Sequence, residues 1–154
     1  MNTLENTVVK KKSIKHKTPA QWLEAVKKNG RMLEFVPDAF KTSALCLAAV
    51  ENDGMALQYV LKKLKTSRIC LAAIQNDPKA LGSVPERLKT PKLCFASVQS
   101  YGWALKYVPE ELKTPELCLA AVQRNSWALE FVPTALKNEI RAAVKKAKTA
   151  SPTT

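Results

Sequence analysis

The chain has 154 residues, of which 46% are hydrophobic and 25% are charged, and it contains only four glycines. This composition is typical of one globular domain, and it excludes a collagen-like chain or a Gly/Ser linker. The formal net charge of +12 favours acidic partners such as nucleic acid, acidic proteins or anionic lipid heads.

Residues 1–16 form a basic segment in which four lysines stand against one glutamate. The segment shows no hydrophobic packing pattern, so we predict a disordered basic tail. It also lacks the apolar stretch of a secretory signal peptide. No run of about 18 apolar residues occurs in the sequence, and we expect no membrane span.

From Lys17 onward the sequence repeats every 24 residues, and five copies align without a gap as far as Leu136. Each copy opens with Lys-Thr, and proline follows in copies one, four and five. Threonine caps a helix by accepting a backbone N–H, and proline suits the first helical position. We therefore predict a helix of about 10 residues in each copy. The capping residues are Thr18, Thr42, Thr66, Thr90 and Thr114.

Glycine follows this predicted helix in copies one, two and four, at Gly30, Gly54 and Gly102. Glycine tolerates the left-handed conformation of a helix C-cap, so we predict that these residues end the helix in that way. Pro78 and Ser126 take the position in copies three and five, and those helix ends should differ.

A second, shorter helix follows in each copy, and in four copies a proline breaks it. The three residues before the next Lys-Thr pair should form one tight turn. Leu61 replaces the proline in copy two, and there we predict a helix that continues to Leu64.

Neither helix buries its apolar side alone, so consecutive copies must stack. We predict an all-α fold, a right-handed α-solenoid of five helix-turn-helix repeats over residues 17–136. Residues 137–148 resemble a truncated first helix and should cap the stack, and residues 149–154 should be disordered. Copy three departs most from the shared pattern, through Pro78, Gly82 and Ser83. A local bend or looser packing is expected there.

The phrases LCLAAVQ, GWALKYVPEELKTPELCLAAV and SWALEFVP resemble a bacterial repeat family known as domain of unknown function 4116. The resemblance covers about residues 17–136, and its motif is long and recurs. It implies an all-helical tandem-repeat fold, and it supplies no catalytic residues.

Four cysteines stand 24 residues apart, a pattern that raises the question of a zinc site or disulfides. Equivalent positions in a helical stack are roughly 10 Å apart, too far for a disulfide or a shared zinc ion. Each cysteine lies in the most apolar stretch of its copy. We interpret Cys46, Cys70, Cys94 and Cys118 as small buried hydrophobes. Free thiols favour a reducing compartment, so we expect a cytoplasmic protein.

The single histidine, His16, lies in the basic tail, so we expect neither a His-based metal site nor a Ser-His-Asp arrangement. The glycines are isolated and form no phosphate-binding loop. We therefore expect no catalysis, no metal and no cofactor. The chain should act by presenting a surface to a partner.

Positions that vary among the copies are the candidates for binding, and in the second helix their spacing places them on one face. Trp103 and Trp127 occupy the same position in adjacent copies, and exposed aromatic residues and arginines are typical interface anchors. The alternative is that each tryptophan covers a helix end as an apolar contact. The predicted partner-binding residues are Trp103, Trp127, Tyr101, Lys106, Arg124, Arg31 and Lys79.

A lysine recurs at the start of each copy, and such a ladder would track a phosphate backbone. Its members are Lys41, Lys65, Lys89, Lys113 and Lys137. The alternative is a solvated loop edge before each helix. We predict a monomeric scaffold that binds a protein with an acidic surface. The alternative function is nucleic-acid binding through the lysine ladder and the basic tails.

Overall fold

The computed structural model describes residues 17–150, and the basic tail predicted for residues 1–16 lies outside the described residues, as do residues 151–154. Residues 17–150 contain helices and turns without a strand. Six α-helices are present in that range. They are α1 (Pro19–Lys28), α2 (Ser43–Asn52), α3 (Ser67–Asn76), α4 (Pro91–Ser100), α5 (Pro115–Arg124) and α6 (Lys137–Ala150).

The threonine of each copy caps its α-helix as predicted. The hydroxyl oxygen of Thr42 accepts the backbone N–H of Leu45 at 3.2 Å, and the other four copies make the same contact. In copy one the side chain of Gln21 also accepts the backbone N–H of Thr18 at 2.9 Å, which completes a capping box. The start of every repeat is therefore fixed by its own local sequence.

The predicted left-handed glycine caps are wrong. The residue that ends each α-helix is extended, as at Asp53 with φ −141° and ψ 107°, and the glycine follows it. A Cβ on Gly54 would overlap the carbonyl oxygen of Ala73 in the next copy. Gly30 and Gly102 meet the next copy in the same way. These glycines are needed for close approach between copies.

The second helix of each copy is a 3₁₀ helix of six residues. The five helices are Gly30–Phe35, Gly54–Tyr59, Pro78–Ser83, Gly102–Tyr107 and Ser126–Phe131. In four copies an Asn or Asp side chain caps this helix, as where Asp53 Oδ1 accepts the N–H of Met55 at 2.9 Å. Such long 3₁₀ runs are uncommon, and they depend here on capping and on packing between copies.

The helix predicted to continue through Leu61 is wrong, because the chain breaks there as it does in the other copies. Leu61 has φ −59° and ψ 140°, and Pro85 has φ −59° and ψ 141°. The preceding Val60 is buried like Val84, and burying this side chain requires the same extended junction. The predicted tight turns are confirmed as three-residue 3₁₀ turns.

The core runs through the whole stack as one continuous cluster. Each of copies two to five contributes an apolar residue, a cysteine and a valine or isoleucine from its α-helix and an alanine from its 3₁₀ helix. Copies two to four add a leucine from the same 3₁₀ helix. In copy one Trp22 replaces the cysteine and is fully buried. At the other end Ile140 of α6 is buried where α6 packs against α5. Helix α6 continues to Ala150, so the disorder predicted from residue 149 is wrong for residues 149–150.

The looser packing predicted at copy three is confirmed. A cleft of about 610 Å³ lies between α3 and α4, and Leu71 on its wall is 43% exposed. At tighter junctions an asparagine joins the copies: Asn76 Oδ1 accepts the N–H of Gly54 at 2.7 Å, and Asn76 Nδ2 donates to Glu51 O at 2.9 Å. At the cleft Pro78 has no N–H to donate, and Ser100 stands in place of the asparagine.

Candidate partner-binding surface

The outer face of the five 3₁₀ helices carries the exposed aromatic side chains of the described chain. An alanine, a leucine or both are buried near the middle of each helix, whereas the second and last residues are exposed or half-buried. Trp127 is 72% exposed, Phe35 49% and Tyr107 38%. Tryptophan is a frequent anchor of protein interfaces, so the exposed Trp127 is a candidate contact residue.

Trp103 is half-buried and serves a contact between copies. Its ring meets the ring of Phe131 in the next copy, with the centroids 5.4 Å apart and an interplanar angle of 61°. This edge-to-face geometry is the favoured one for aromatic pairs. Trp103 therefore holds copies four and five together.

Trp127 occupies the same position one copy later, and it is exposed because the row of 3₁₀ helices ends there. After copy five the chain enters α6, which takes the place of a sixth α-helix. Nothing in residues 17–150 supplies a sixth 3₁₀ helix whose aromatic residue would cover Trp127. The end of the stack thus exposes a tryptophan whose equivalent in copy four, Trp103, is half-buried.

The basic helix α6 lies beside this end of the stack. A cavity of about 530 Å³ is lined by Ser126, the residue before Trp127, and by Val144 and Ala147 of α6. The sequence of α6 contains five basic residues and one glutamate. Arg141, Lys145 and Lys146 are exposed. The apolar Trp127 side chain and a positive helix therefore share one end of the molecule.

Three other predicted binding residues pair across neighbouring copies. The guanidinium Nε of Arg31 donates to Asp53 Oδ2 at 2.8 Å, and this hydrogen bond raises the pKa of Arg31. Lys79 Nζ lies 5.4 Å from the ring centroid of Tyr101. In both pairs the second residue of one 3₁₀ helix meets the residue that ends the next α-helix. Lys79 and Tyr101 are thus brought together as a cation–π pair.

The remaining two predicted residues also contact their surroundings. Arg124 Nε donates to the backbone oxygen of Ser100 in the preceding copy at 3.3 Å. Lys106 Nζ lies 5.9 Å from the ring centroid of Tyr107. The seven predicted residues are spread along the stack from Arg31 in copy one to Trp127 in copy five, and they do not form one patch.

Sequence reasoning missed Phe35, Tyr107 and Phe131, which occupy the last position of the 3₁₀ helix. Apolar residues that recur at one position are typical of a core. Only the 3₁₀ geometry turns these three side chains outward or toward the neighbouring copy. An aromatic residue at this position in every copy except the third was the available signal.

The lysine ladder is largely turned into the molecule. Lys89 Nζ donates to Tyr107 O and to Glu86 Oε1, both at 2.7 Å, and Lys113 Nζ donates to Phe131 O at 3.0 Å. Lys65 Nζ donates to Ser83 O at 2.8 Å, and Lys41 pairs with Asp38 at 3.0 Å. Each lysine that donates to a carbonyl there caps the end of a 3₁₀ helix, where the dipole favours a cation.

Neither sequence interpretation fits these lysines. The side chains of Lys41, Lys89 and Lys113 are between 5% and 10% exposed, so they neither track an external phosphate backbone nor form a solvated edge. Sequence alone did not reveal their partners because each carbonyl lies 18 residues along the chain. Lys137 opens α6 and is half-buried.

The four cysteines are buried and free, in agreement with the sequence interpretation. Burial raises the pKa of Cys94 and of Cys118 to about 11, against the smaller opposing effect of the lysine beside each. Thiols of this kind are weak nucleophiles at neutral pH. Between residues 17 and 150, no three His, Cys, Asp or Glu side chains are grouped so that they could share a metal ion.

The architecture defines the class of the protein as an all-α tandem-repeat solenoid. The family model described as "Domain of unknown function (DUF4116)" matches residues 22–65, 43–89 and 91–137. The chain belongs to this family, which confirms the resemblance of its repeat motif. No curated protein and no solved structure matches the chain. In the described part of the chain, every helix is too short or too polar to cross a membrane.

Proposed function

We propose that the chain is a non-catalytic helical-repeat scaffold that binds a protein partner with an acidic surface at the C-terminal end of its stack. The observation that carries this proposal is the 72% exposure of Trp127 beside the basic helix α6. A monomeric protein in the cytoplasm is part of the proposal, and the four free thiols favour that reducing compartment.

The chemistry of this end of the molecule suits a mixed apolar and acidic ligand. Tryptophan buries a large apolar area at low entropic cost, which makes it a frequent anchor of protein interfaces. The cations of α6 would attract an acidic partner and orient it before the tryptophan is buried. A partner with an apolar residue flanked by carboxylates would use both features.

The absence of catalysis is proposed from residue types. The single histidine lies outside the described residues, and the thiols are buried with raised pKa values in Cys46, Cys70, Cys94 and Cys118. Residues of this kind offer no evident nucleophile paired with a general base.

The alternative function, nucleic-acid binding, has less support because the ammonium groups of Lys41, Lys89 and Lys113 already pair inside the molecule. Titration with mixed-sequence DNA and RNA at low and physiological salt separates the two functions. Tight binding at low salt that weakens steeply with added salt would favour nucleic acid.

Substitution of Trp127 by alanine tests the proposed partner surface. Intact chain and variant are used to capture proteins from the source cells, and each captured protein is then purified and titrated against both. We expect Trp127→Ala to weaken the binding of a genuine partner by about tenfold or more, as for an interface anchor. Leu71→Ala is the control, since it removes another exposed apolar side chain on a different wall. Equal binding by Trp127→Ala and the intact chain would contradict the proposal.

A further inference from the structure

An acidic residue and a lysine three residues later form an ion pair at three junctions between copies. The pairs are Asp38–Lys41 at 3.0 Å, Glu86–Lys89 at 2.7 Å and Glu110–Lys113 at 2.8 Å. At the junction between copies two and three, Lys62 takes the place of the acid, three residues before Lys65. A repulsive pair of cations thus stands where the other junctions have a salt bridge.

Lys65 keeps its structural bond but lacks the carboxylate. Its ammonium donates to Ser83 O at 2.8 Å, as Lys89 donates to Tyr107 O. Lys89 uses a further N–H on Glu86, whereas no carboxylate of residues 17–150 lies within 4.0 Å of Lys65 Nζ. Burial and, to a smaller extent, Lys62 lower the pKa of Lys65. Ser83 O accepts one N–H of the Lys65 side chain, so its other donors are available to an anion.

A concave pocket lies at the same place, where copy three carries two small residues. Gly82 and Ser83 stand where copy four has Lys106 and Tyr107. The resulting pocket has a volume of about 450 Å³. Its lining is Lys62, Lys65, Arg87, Gly82, Ser83, Val84 and Pro85. The loss of the aromatic ring and the exchange of acid for lysine thus coincide in one cavity.

Three cations line this pocket without an acidic residue among them. Glu86 is adjacent in sequence, but its carboxylate pairs with Lys89. Burial raises the pKa of Cys70, and Lys65 and Arg87 both oppose this rise. An arginine and two lysines together offer more hydrogen-bond donors than one carboxylate can accept, and the oxygen atoms of a phosphate group suit them better.

We propose that the pocket formed by Lys62, Lys65 and Arg87 binds a phosphate group, either as inorganic phosphate or as the phosphomonoester of a small organic molecule. A dianion would compensate the charge that the missing acid leaves uncompensated. The volume exceeds that of one phosphate group, and the apolar wall of Val84 and Pro85 would contact an attached organic group. This site is independent of the partner surface around Trp127.

Lys62→Glu is the decisive variant, because it restores the acid found at the other junctions and should pair with Lys65. Lys63→Glu is the matched control, with the same change in net charge on an exposed neighbour that does not line the pocket. Calorimetry and NMR titration with inorganic phosphate and with glycerol 3-phosphate measure affinity for the intact chain and both variants. Added chloride at equal ionic strength controls for screening.

We expect saturable one-to-one binding to the intact chain, a loss of about tenfold or more in Lys62→Glu, and a change within about threefold in Lys63→Glu. Ser83→Tyr should also abolish binding without a change of charge, because the ring fills the pocket. Tighter binding of glycerol 3-phosphate would identify a phosphomonoester ligand, and equal binding would identify phosphate alone. Equal weakening by Lys62→Glu and Lys63→Glu, or binding that does not saturate, would overturn the proposal.

Discussion

Glycine recurs after the first helix because the next copy comes too close for a side chain. Gly54 is buried against the carbonyl oxygen of Ala73, and its amide donates to Asn76. The sequence correctly marked the position as special, but it suggested backbone conformation as the reason. The approach of a residue from the next copy, 19 positions away in the sequence, is invisible in a local pattern.

Gly54→Ala should therefore destabilise the chain by about 1–3 kcal/mol, since the stack must shift to admit the methyl group. Gly82→Ala is the matched control. There the atoms nearest to the new Cβ belong to the 38% exposed ring of Tyr107, and a side chain at the surface can shift more easily than the backbone oxygen of Ala73. Urea denaturation of both variants measures the free energy of unfolding. A smaller loss for Gly54→Ala than for Gly82→Ala would contradict the close-approach explanation.

The buried thiols give the stability of the chain a pH dependence at the alkaline end. Cys94 and Cys118 have a pKa of about 11 in the folded chain, above the value of 9.0 for a free thiol. The folded state therefore holds these protons to higher pH than the unfolded state does. Their contribution to stability is complete below pH 9 and is lost as the pH rises toward 11.

The Cys94→Ala/Cys118→Ala variant should thus lose less stability between these pH values than the intact chain, by about 2 kcal/mol per thiol. The lysines are the same in both chains, and the comparison removes their contribution. Urea midpoints measured at several pH values give the two slopes. Parallel slopes would show that the thiols do not hold their protons through burial.

Lysine shows the limit of sequence reasoning at the residue scale. A lysine before each helix cap normally lies in solvent, and both interpretations of the ladder assume that it does. Lys89 instead reaches the carbonyl oxygen of Tyr107, and its alkyl chain is covered on the way. Only the three-dimensional repeat brings that carbonyl within reach.

At the scale of the elements, the α-helices were predictable and the 3₁₀ helices were not. Threonine caps and apolar runs fix α1 to α5 from local sequence alone. The second helix is only six residues long, and six residues do not distinguish a 3₁₀ helix from an α-helix by periodicity. The break at Leu61 likewise depends on the burial of Val60 in the stack.

The junction between copies three and four offers a test of how elements are joined. Pro78→Gly with Ser100→Asn restores the two groups that bond at the tighter junctions, where Asn76 contacts Gly54 and Glu51. Two added hydrogen bonds at about 1 kcal/mol each, less the entropic cost of glycine, should stabilise the double variant by about 1 kcal/mol.

A double-mutant cycle measured by urea denaturation separates the two changes. Pro78→Gly alone should be neutral or destabilising, because no asparagine accepts the new N–H, and Ser100→Asn alone should gain at most the bond that its Nδ2 donates. Hydrogen exchange in α3 and α4 should slow in the double variant as the cleft closes. Additive effects of the two single substitutions would contradict the proposed bonding.

At the scale of the whole molecule, the 24-residue step predicted the stack, its core and its capping helix. It did not predict that α6 would cover α5 while leaving the row of 3₁₀ helices open at Trp127. The candidate surface is a property of where the array stops, and no single copy contains that information. The pocket at Lys62 likewise depends on Ser83 in the following copy.

Amide hydrogen exchange in Asn52→Ala tests the central claim, that residues 24 positions apart are neighbours in a stack. Asn52 Oδ1 accepts the N–H of Gly30 at 2.7 Å, and Asn76 accepts that of Gly54 at the same distance. NMR should show both glycine amides protected in the intact chain. In Asn52→Ala, protection should fall at Gly30 and persist at Gly54. Rapid exchange of both amides in the intact chain, or unchanged protection of Gly30 in the variant, would contradict the stacked repeats.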